Sequence, residues 1–341
     1  MRVGIAGASG YSGAELLRLV AAHPAFEPAI VTSREFAGRA VKDVYPNLPF
    51  DLTYTELDVN ALAGLDVVFL ALPHGASMTI GAQLAESGTR VVDFSADFRL
   101  DDPALYPQWF GKEHAAPSWL GKWIYGLPEL HRDEIAGAAL VANPGCYPTA
   151  ALLALTPLLA NGLVEPNGIV VSAASGVSGA GRGLNAGAHF SHVDGNVKAY
   201  GFPGHKHTPE IEQELSRLGG DDVRITFIPH LVPMTRGLLA TCVATLAADS
   251  SRAAMSAAAH ARYDDEPFVR VLDDAFPETA YLAGSNGAHV SYAVDERTSR
   301  VIAVTAIDNL GKGAAGQAIQ NANIMLGLPE TSGLLAGGLY P

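Results

Sequence analysis

The sequence predicts an α/β protein in which a doubly wound domain with a parallel sheet precedes an α+β domain with a mixed sheet. The chain has 341 residues, which corresponds to roughly two domains at about 150 residues each. Up to about residue 145, apolar runs alternate with helical patterns, as expected for a parallel sheet covered on both faces. From residue 169 onward, strand patterns occur in blocks with few helices between them, which favours an α+β domain.

The first forty residues contain a strand–loop–helix–strand unit. Arg2–Ala6 is a short apolar strand, and glycines recur in the loop at residues 7–13. Residues 14–22 have apolar side chains at helical spacing, and residues 28–32 have the pattern of the next strand. A unit of this order and about 30 residues is typical of a Rossmann-type dinucleotide-binding domain.

Further patterns complete the two domains. In the first domain we expect strands at residues 65–72, 90–94 and 140–142 and a helix at 77–87. In the second we expect strands at 169–174, 223–229, 237–246 and 301–307, and helices at 208–218 and 253–263. A last helix at 314–326 could pack back on the first domain. The expected domains are therefore 1–145, rejoined by 311–341, and 146–310.

Composition limits the classes of partner. The 35 acidic and 22 basic residues give a net charge of −13, which argues against nonspecific binding to nucleic acid or to anionic membranes. Two cysteines are too few for a disulfide framework or a cysteine-rich zinc site. The longest apolar run, at residues 150–163, contains a proline and is shorter than the roughly 20 residues of a membrane span. We therefore expect a soluble, cytoplasmic protein without a bound metal.

The glycine loop has the spacing G-x-x-G-x-x-G. Its glycines allow the backbone to approach a pyrophosphate, and the helix that follows offers unpaired N–H groups. The alternative is an ordinary tight turn, which its place directly after the first strand disfavours.

The second strand ends in Ser33 and Arg34, where an NAD site usually has an acidic residue for the ribose 2′-hydroxyl. This favours NADP(H), with Glu35 as the opposing consideration.

Cys146 lies in a proline-flanked turn before an apolar helical run. A helix N-terminus stabilises the thiolate through its dipole and its N–H groups. The alternative, a buried structural cysteine, fits Cys242 better, because that residue lies inside an apolar strand pattern. Cys146 is thus the candidate nucleophile.

Two histidines precede a second helix, with Thr208 as the expected N-cap and Pro209 in the first turn. A histidine at a helix N-terminus stays neutral near pH 7 and can exchange a proton with a ligand. A metal site and a solvated loop are the alternatives for His205 and His207. Anion-binding candidates elsewhere are the glycine-rich loop at residues 175–182, with Arg182, and the lone Arg99 and Arg236.

Several ordered segments together resemble one family. They are GASGYSG at 7–13, LALPHG at 70–75, DFSADFRL at 93–100, YGLPEL at 125–130, NPGCYPTA at 143–150, SGVSGAGR at 175–182, GHKHTPEI at 204–211, PHLVPMTRG at 229–237 and AIDNLGKGAAGQA at 306–318. Across nearly its whole length the chain resembles the N-acetyl-gamma-glutamyl-phosphate reductases of arginine biosynthesis, which are of the semialdehyde dehydrogenase type.

The resemblance implies reduction of a small acyl phosphate to the semialdehyde with NADPH, through a thioester on Cys146. It implies that protonated His205 supplies a proton, and that the protein is a homodimer or homotetramer whose second domain is catalytic and oligomeric. The implied cofactor residues are Gly7, Ser9, Gly10, Tyr11, Ser12, Gly13, Ser33, Arg34, Pro73, Ser175, Gly176 and Asn309. The implied substrate residues are Arg99, Arg182, His207, Glu210 and Arg236.

Three alternatives stay open at this point. A related enzyme of lysine biosynthesis reduces carrier-protein-linked aminoadipyl or glutamyl phosphate, and residues 32–38 resemble it. That relative has Asn-Ala-Thr after its cysteine, whereas this chain has Tyr147, Pro148 and Thr149. Lys206 stands where many reductases have arginine, so it keeps the charge without the bidentate geometry. A cysteine acyltransferase or hydrolase would leave the dinucleotide loop unexplained, and a nucleotide-sensing module would leave the cysteine turn unexplained.

Overall fold

The computed structural model describes residues 1–219, 222–248, 250–334 and 337–340, and it divides into two compact units. The first unit contains Met1–Gly145 and the segment that starts at Ala314. The second contains Cys146–Gly313 together with residues 337–340.

The first unit is a doubly wound layer of helices around a six-stranded parallel sheet with strand order β2-β1-β3-β4-β6-β5. Its strands are β1 (Arg2–Ala6), β2 (Glu27–Val31), β3 (Val67–Leu70), β4 (Val91–Asp93), β5 (Ile124–Tyr125) and β6 (Leu140–Ala142). Its helices are α1 (Tyr11–Ala22), α2 (Val41–Val44), α3 (Val59–Leu62), α4 (Ser77–Glu86), α5 (Leu105–Phe110) and α6 (Pro128–Ala136). The strand β5 and the helices α2, α3, α5 and α6 were not predicted. A strand of two residues and helices of four to six residues are too short to leave a periodic signal.

The apolar residues that predicted β3 and α1 are buried in the first unit. Every residue of β3 is buried, as expected for a parallel strand with helices on both faces. The helix α1 buries the leucines and valine that predicted it, but it starts three residues earlier than expected, at Tyr11. Gly10 has an extended backbone and acts as the N-cap, so the helix begins at once after the glycine turn.

The second unit contains a mixed seven-stranded sheet with strand order β11-β12-β13-β10-β7-β9-β8. Its strands are β7 (Ile169–Gly176), β8 (Lys198–Ala199), β9 (Ile225–Val232), β10 (Leu238–Thr245), β11 (Val269–Val271), β12 (Ala288–Asp295) and β13 (Arg300–Ile307). Its helices are α7 (Cys146–Ala160), α8 (Phe190–Val193), α9 (Thr208–Gly219) and α10 (Arg252–Tyr263). The sheet pairs β7 with β9 in parallel and β10 with β7 and β13 antiparallel, which confirms the predicted fold class.

The two faces of this sheet differ. The helix α7 packs on β10 and β13, α9 packs on β9, and α10 packs on β11 and β12. Alternate residues of β10 are therefore fully buried, Cys242 among them. The other residues of β10, which include Leu239, Thr241 and Val243, are half-buried and form part of an open face.

The C-terminal segment returns to the first unit for only part of its length. A π-type turn at Gly311–Ala315 leads into α11 (Gly316–Met325), which packs on α1 and α6. The expected return of all of 311–341 is wrong at both ends, because residues 311–313 and the last residues belong to the second unit. There the N–H of Leu339 donates to the Ala283 carbonyl, and Tyr340 stacks on Tyr281.

None of the helices in the described parts of the chain is long and apolar enough to cross a membrane. The most apolar one, α7, has 15 residues and contains Pro157.

Candidate active site

The glycine loop of the first unit has the geometry of a dinucleotide turn. Gly7 has φ +83°, a left-handed conformation that favours glycine, and a Cβ at Gly13 would lie 2.5 Å from the Gly7 carbonyl oxygen. A Cβ at Gly10 would meet only that same oxygen, at 3.6 Å, so space is open above the loop. No side chain caps the start of α1 at Gly10. The loop therefore fits a pyrophosphate at the helix N-terminus.

The end of β2 carries no acidic side chain. The strand ends at Val31, and the buried Ser33 hydroxyl lies 2.7 Å from the Ser9 hydroxyl of the glycine loop. Ser33 also accepts a hydrogen bond from the Phe36 N–H, which fixes the turn. Arg34 and Glu35 follow outside the strand, with exposed side chains.

Two buried carboxyl groups hold the loops after β3 and β4. Asp97 accepts hydrogen bonds from the N–H groups of Gly75 and Met78, which fixes the loop that contains Pro73. Burial, together with the smaller effect of the neighbouring Asp97 charge, raises the pKa of Asp93 to about 6. The Asp93 carboxylate accepts hydrogen bonds from the N–H and the hydroxyl of Ser95, which fixes the loop after β4.

Arg99 is almost fully buried in the first unit. Its Nε donates to the Asn143 carbonyl at 2.8 Å and its Nη2 donates to the Phe94 carbonyl at 2.6 Å. The Asn143 side chain in turn donates to the Ala314 carbonyl at 3.1 Å. Arg99 thus supports the turn that precedes Cys146, and its contact with substrate stays a prediction.

The candidate nucleophile is the first residue of α7, as predicted. Cys146 is half-buried, whereas Cys242 is buried in the sheet, and desolvation raises the pKa of the Cys242 thiol to about 12. A Cβ placed on Gly313 would lie 2.7 Å from the Cys146 Cβ, so glycine is required for this close approach. The Gly313 N–H donates to the Asp308 carbonyl, which holds that turn against the cysteine.

His205 lies among aromatic rings close to the start of α7. Its ring contacts the edges or faces of Tyr147, Tyr200, Phe227 and His207 with centroid distances of 5.9, 5.7, 5.1 and 4.9 Å. Burial lowers the pKa of His205 to about 4, and the Lys206 charge acts in the same direction. The ring is therefore neutral near pH 7.

Two tyrosine hydroxyls form a pair beside this histidine. The hydroxyls of Tyr147 and Tyr200 lie 3.0 Å apart, and the Tyr147 hydroxyl is also 3.2 Å from the His230 carbonyl oxygen. Burial raises the pKa of both phenols, and the Cys146 charge adds to the increase. Both tyrosines are thus neutral donors that lie close to the cysteine.

The helix α9 begins at Thr208, so the prediction of Thr208 as N-cap is wrong by one residue. The Thr208 hydroxyl is buried and has no hydrogen-bond partner among the described residues. The Thr208 N–H donates instead to the His205 carbonyl at 2.9 Å, and Glu210 is buried in the first turn. In the described parts of the chain, no three His, Cys, Asp or Glu side chains form a group that could hold a metal ion.

The remaining predicted residues of the second unit lie at the end of β7 and in the segments that follow β7, β9 and β13. Asn309 donates to the Ser178 hydroxyl and accepts from the Gly237 N–H, so it joins the loop after β7 to the start of β10. Ser175 and Gly176 are the buried last two residues of β7, whereas Arg182 lies in the loop that follows and is exposed. Arg236 is partly exposed, and its Nε lies 3.4 Å from the Asp308 carboxylate, which orients the guanidinium. These roles stay predictions.

Sequence reasoning missed the residues that surround the nucleophile and the histidine. Tyr147 and Gly313 stand inside quoted motifs, but nothing in their spacing shows which atoms they contact. Tyr200 directly follows β8 and Phe227 lies on β9, and both reach His205 only through the tertiary fold. An aromatic residue directly after the candidate cysteine was the one available signal.

Comparison with known families agrees with this architecture. The model of the semialdehyde dehydrogenase NAD binding domain matches residues 2–138, and that of the semialdehyde dehydrogenase dimerisation domain matches residues 146–309. Aspartate semialdehyde dehydrogenase II from Vibrio cholerae shares the fold with a TM-score of 0.72, at 18% identity over 95% of this chain and 98% of that one. The two family models and the fold identify the chain as a nicotinamide-dependent oxidoreductase of the semialdehyde dehydrogenase class.

Sequence relatives define the family within that class. The N-acetyl-gamma-glutamyl-phosphate reductase of Symbiobacterium thermophilum is 52% identical over 100% of this chain and 99% of its own length. The enzyme of the same name from Acidothermus cellulolyticus is also 52% identical, with the same coverage. The chain belongs to the N-acetyl-gamma-glutamyl-phosphate reductase family.

Proposed function

We propose that this protein reduces N-acetyl-gamma-glutamyl phosphate to N-acetylglutamate semialdehyde with NADPH and releases phosphate. The observation that carries the proposal is Cys146 at the start of α7, close to the aromatic surroundings of a neutral His205. The full-length relatives that carry this enzyme's name support the choice of substrate.

The cysteine converts the substrate into a better hydride acceptor. The Cys146 thiolate attacks the acyl carbon, a C–S bond forms, and the C–O bond to phosphate breaks. The phosphate leaves with the electron pair and takes a proton from solvent. The nicotinamide, when bound, supplies the hydride that reduces the thioester. Collapse of the thiohemiacetal oxyanion breaks the C–S bond, releases the aldehyde and returns the thiolate.

The substrate is anionic, so the proposed binding residues include cations. Arg236, oriented by Asp308, and the exposed Arg182 would bind carboxylate or phosphate oxygens with charge-assisted hydrogen bonds. His207 and Glu210 are the proposed polar neighbours, because His207 lies on the turn that carries His205 and Glu210 is buried in the first turn of the helix α9 that follows. Of the three arginines, Arg99 has the weakest structural support for a contact with substrate, because its guanidinium already donates to main-chain carbonyls.

The direct test is the oxidation of NADPH by the purified protein, measured by absorbance with each candidate acyl phosphate. We expect turnover with N-acetyl-gamma-glutamyl phosphate and at least about tenfold lower kcat/KM with carrier-linked aminoadipyl phosphate. The tyrosine after Cys146 supports this preference for N-acetyl-gamma-glutamyl phosphate, since the carrier-dependent relative has asparagine there. Phosphate release without NADPH oxidation would instead identify a hydrolase.

NADP(H) is the proposed form of the cofactor. No side chain at the end of β2 is acidic, and the exposed Arg34 guanidinium could pair with a ribose 2′-phosphate. We expect wild-type kcat/KM to favour NADPH over NADH by at least about tenfold, and we expect most of this margin to vanish in Arg34→Ala. Glu35→Ala is the matched neighbouring control and should keep the preference. Equal use of NADH by the wild type would contradict the proposal.

A homodimer or a homotetramer is the proposed assembly. The open face of the second unit's sheet has half-buried Leu239, Thr241 and Val243 on β10, with Ile302 and Val304 beside them on β13. A sheet face of apolar and β-branched side chains is suited to pack on a second copy. The matched family model is described as a dimerisation domain, which supports the same proposal. The proposed location is the cytoplasm, where a reactive thiol stays reduced.

A further inference from the structure

We propose that residues 338–340 form a strap that positions the guanidinium of Arg236 for an anionic group of the substrate. The strap acts through the chain that precedes β12 and through the buried carboxylate of Asp308, rather than by contact with the substrate. This inference rests on the proposed function, in which Arg236 binds the substrate, and it adds the residues that keep this arginine in place.

Main-chain contacts and a stacked ring pair hold the strap on the chain that precedes β12. The N–H of Leu339 donates to the Ala283 carbonyl at 2.8 Å. The ring of Tyr340 stacks on the ring of Tyr281, with a centroid distance of 4.6 Å and an interplanar angle of 22°. A Cβ on Gly338 would overlap the Tyr281 carbonyl oxygen, so glycine is required for this approach of the two main chains.

The side chains of the strap bury little surface. Leu339 is 74% exposed and Tyr340 is 58% exposed. Hydrophobic stabilisation is proportional to the apolar area removed from water, so these side chains contribute little to the free energy of unfolding. Variants of the strap are therefore expected to stay folded, and the contacts of the strap point to a role in orienting the chain beneath it.

The chain beneath the strap contacts the turn that carries Arg236. A Cβ on Gly284 would lie 3.5 Å from Cδ1 of Leu339 and 3.8 Å from Nη1 of Arg236, so the strap and the guanidinium are neighbours of the same glycine. Thr279, from the same chain, packs against Gly237, where a Cβ would lie 2.8 Å from the Thr279 Cβ. A displacement of this chain would therefore reach both residues of the turn.

The carboxylate of Asp308 connects the same chain to the guanidinium. It is fully buried, and it accepts hydrogen bonds from the N–H groups of Gly284, Leu310 and Gly311. The Nε of Arg236 lies 3.4 Å from Oδ2 of Asp308, which is the oxygen that accepts from Gly284. Because one oxygen interacts with both groups, a shift of Gly284 changes the position in which Arg236 is held.

The orientation of the guanidinium matters for its binding of an anion. A guanidinium pairs with carboxylate or phosphate oxygens through a planar set of N–H donors, so the pairing depends on the direction of that plane. A guanidinium that is held in place before the substrate arrives loses less conformational freedom on binding. Loss of the strap leaves the thiol and the cofactor loop unchanged. We therefore expect its effect in the KM for the acyl phosphate rather than in kcat.

Gly338→Ala tests the strap by forcing it away from the Tyr281 carbonyl. We expect the KM for N-acetyl-gamma-glutamyl phosphate to increase about tenfold, while kcat and the KM for NADPH stay within about twofold of wild type. Gly337→Ala is the matched control, because a Cβ at that neighbouring position would meet nothing within 4 Å. An unchanged KM in Gly338→Ala would overturn the inference.

A second pair of variants weakens the strap without a steric clash. Tyr340→Ala removes the stacked ring and should raise the same KM by about threefold, whereas Tyr340→Phe keeps a ring on Tyr281 and should restore the wild-type KM. Thermal unfolding of both variants shows whether the change is local. Equal KM values in the two variants, with wild-type thermal transitions, would contradict the role of the ring pair.

A double-mutant cycle tests whether the strap acts through Arg236. Arg236→Ala alone should raise the KM by about ten- to a hundredfold, since charge-assisted hydrogen bonds to the substrate are lost. Gly338→Ala added to Arg236→Ala should change the KM by less than about twofold, because the group that the strap positions is then absent. A further increase of about tenfold in the double variant would show that the strap acts on another residue, and the inference would be wrong.

Hydrogen exchange on the free protein separates this inference from the proposed function. We expect the Gly284 N–H to exchange at least about tenfold faster in Gly338→Ala than in the wild type and in Gly337→Ala. If the wild type does not reduce N-acetyl-gamma-glutamyl phosphate at all, the proposed function fails. The exchange rates still show in that case whether the strap holds Gly284, and equal rates in Gly338→Ala and wild type would overturn the strap even in an active enzyme.

Discussion

Cys146→Ala is expected to lower kcat by about 10³-fold or more while NADPH binding stays unchanged. Without the sulfur no thioester forms, and water attacking the acyl phosphate would give a carboxylate that hydride cannot reduce. The cofactor loop lies in the first unit, far along the chain from this residue, so its binding of NADPH should persist. Steady-state oxidation of NADPH and a fluorescence titration of the cofactor measure the two quantities.

Cys242→Ala is the matched control. Cys242 is fully buried in β10, and the high pKa of its thiol excludes a reactive thiolate near neutral pH. We expect its kcat to stay within about twofold of wild type. Iodoacetamide should alkylate Cys146 well before Cys242 in the native protein. More than about a tenth of wild-type activity in Cys146→Ala would rule out covalent catalysis by this residue.

Gly313→Ala is expected to lower kcat by roughly 10²-fold through displacement of the nucleophile. The added methyl group would lie 2.7 Å from the Cys146 Cβ and 3.3 Å from its Cα, well inside van der Waals contact. Ordinary carbon–carbon contact lies at about 3.5–4.0 Å, so either the cysteine or the turn must shift by about 1 Å. A displacement of about 1 Å at a reacting group costs about 10²-fold in rate.

The KM for NADPH and the thermal transition show whether the Gly313 effect is local. We expect both to change little, because the clash falls on the start of α7 and not on the glycine loop of the first unit. The control is Gly337→Ala, at a position where a Cβ would meet nothing within 4 Å. It should behave as wild type. Full kcat in Gly313→Ala with an unchanged rate of Cys146 alkylation would show that the close approach is not needed.

Much of the fold could be predicted from local sequence patterns. The buried strand β3 and the apolar face of α1 were visible because burial on both faces, or on one helical stripe, imposes a composition or a period. The strand β12 alternates less clearly and was not predicted, although it pairs with β13 along eight residues. Its assignment depends on a neighbour in the sheet, which no local window contains.

Some catalytic features could be predicted because they depend on residues close in sequence. A cysteine placed before an apolar helix, and glycines spaced along a loop after the first strand, imply a helix-start nucleophile and a phosphate turn by themselves. The charge state of His205 could be anticipated only in part. A helix start predicts a neutral ring, whereas the aromatic residues among which His205 is buried come from distant parts of the chain. The proton-donor role that the family resemblance implies stays a prediction.

By itself, the sequence determined the order of the elements, the identity of the candidate nucleophile and the absence of an acidic side chain at the end of the second strand. These depend on hydrophobic period, turn chemistry and charge within short segments. The tertiary structure alone decided which aromatic rings surround His205 and why residue 313 must be glycine. Both depend on contacts between residues that are distant in sequence, and no local pattern encodes such contacts.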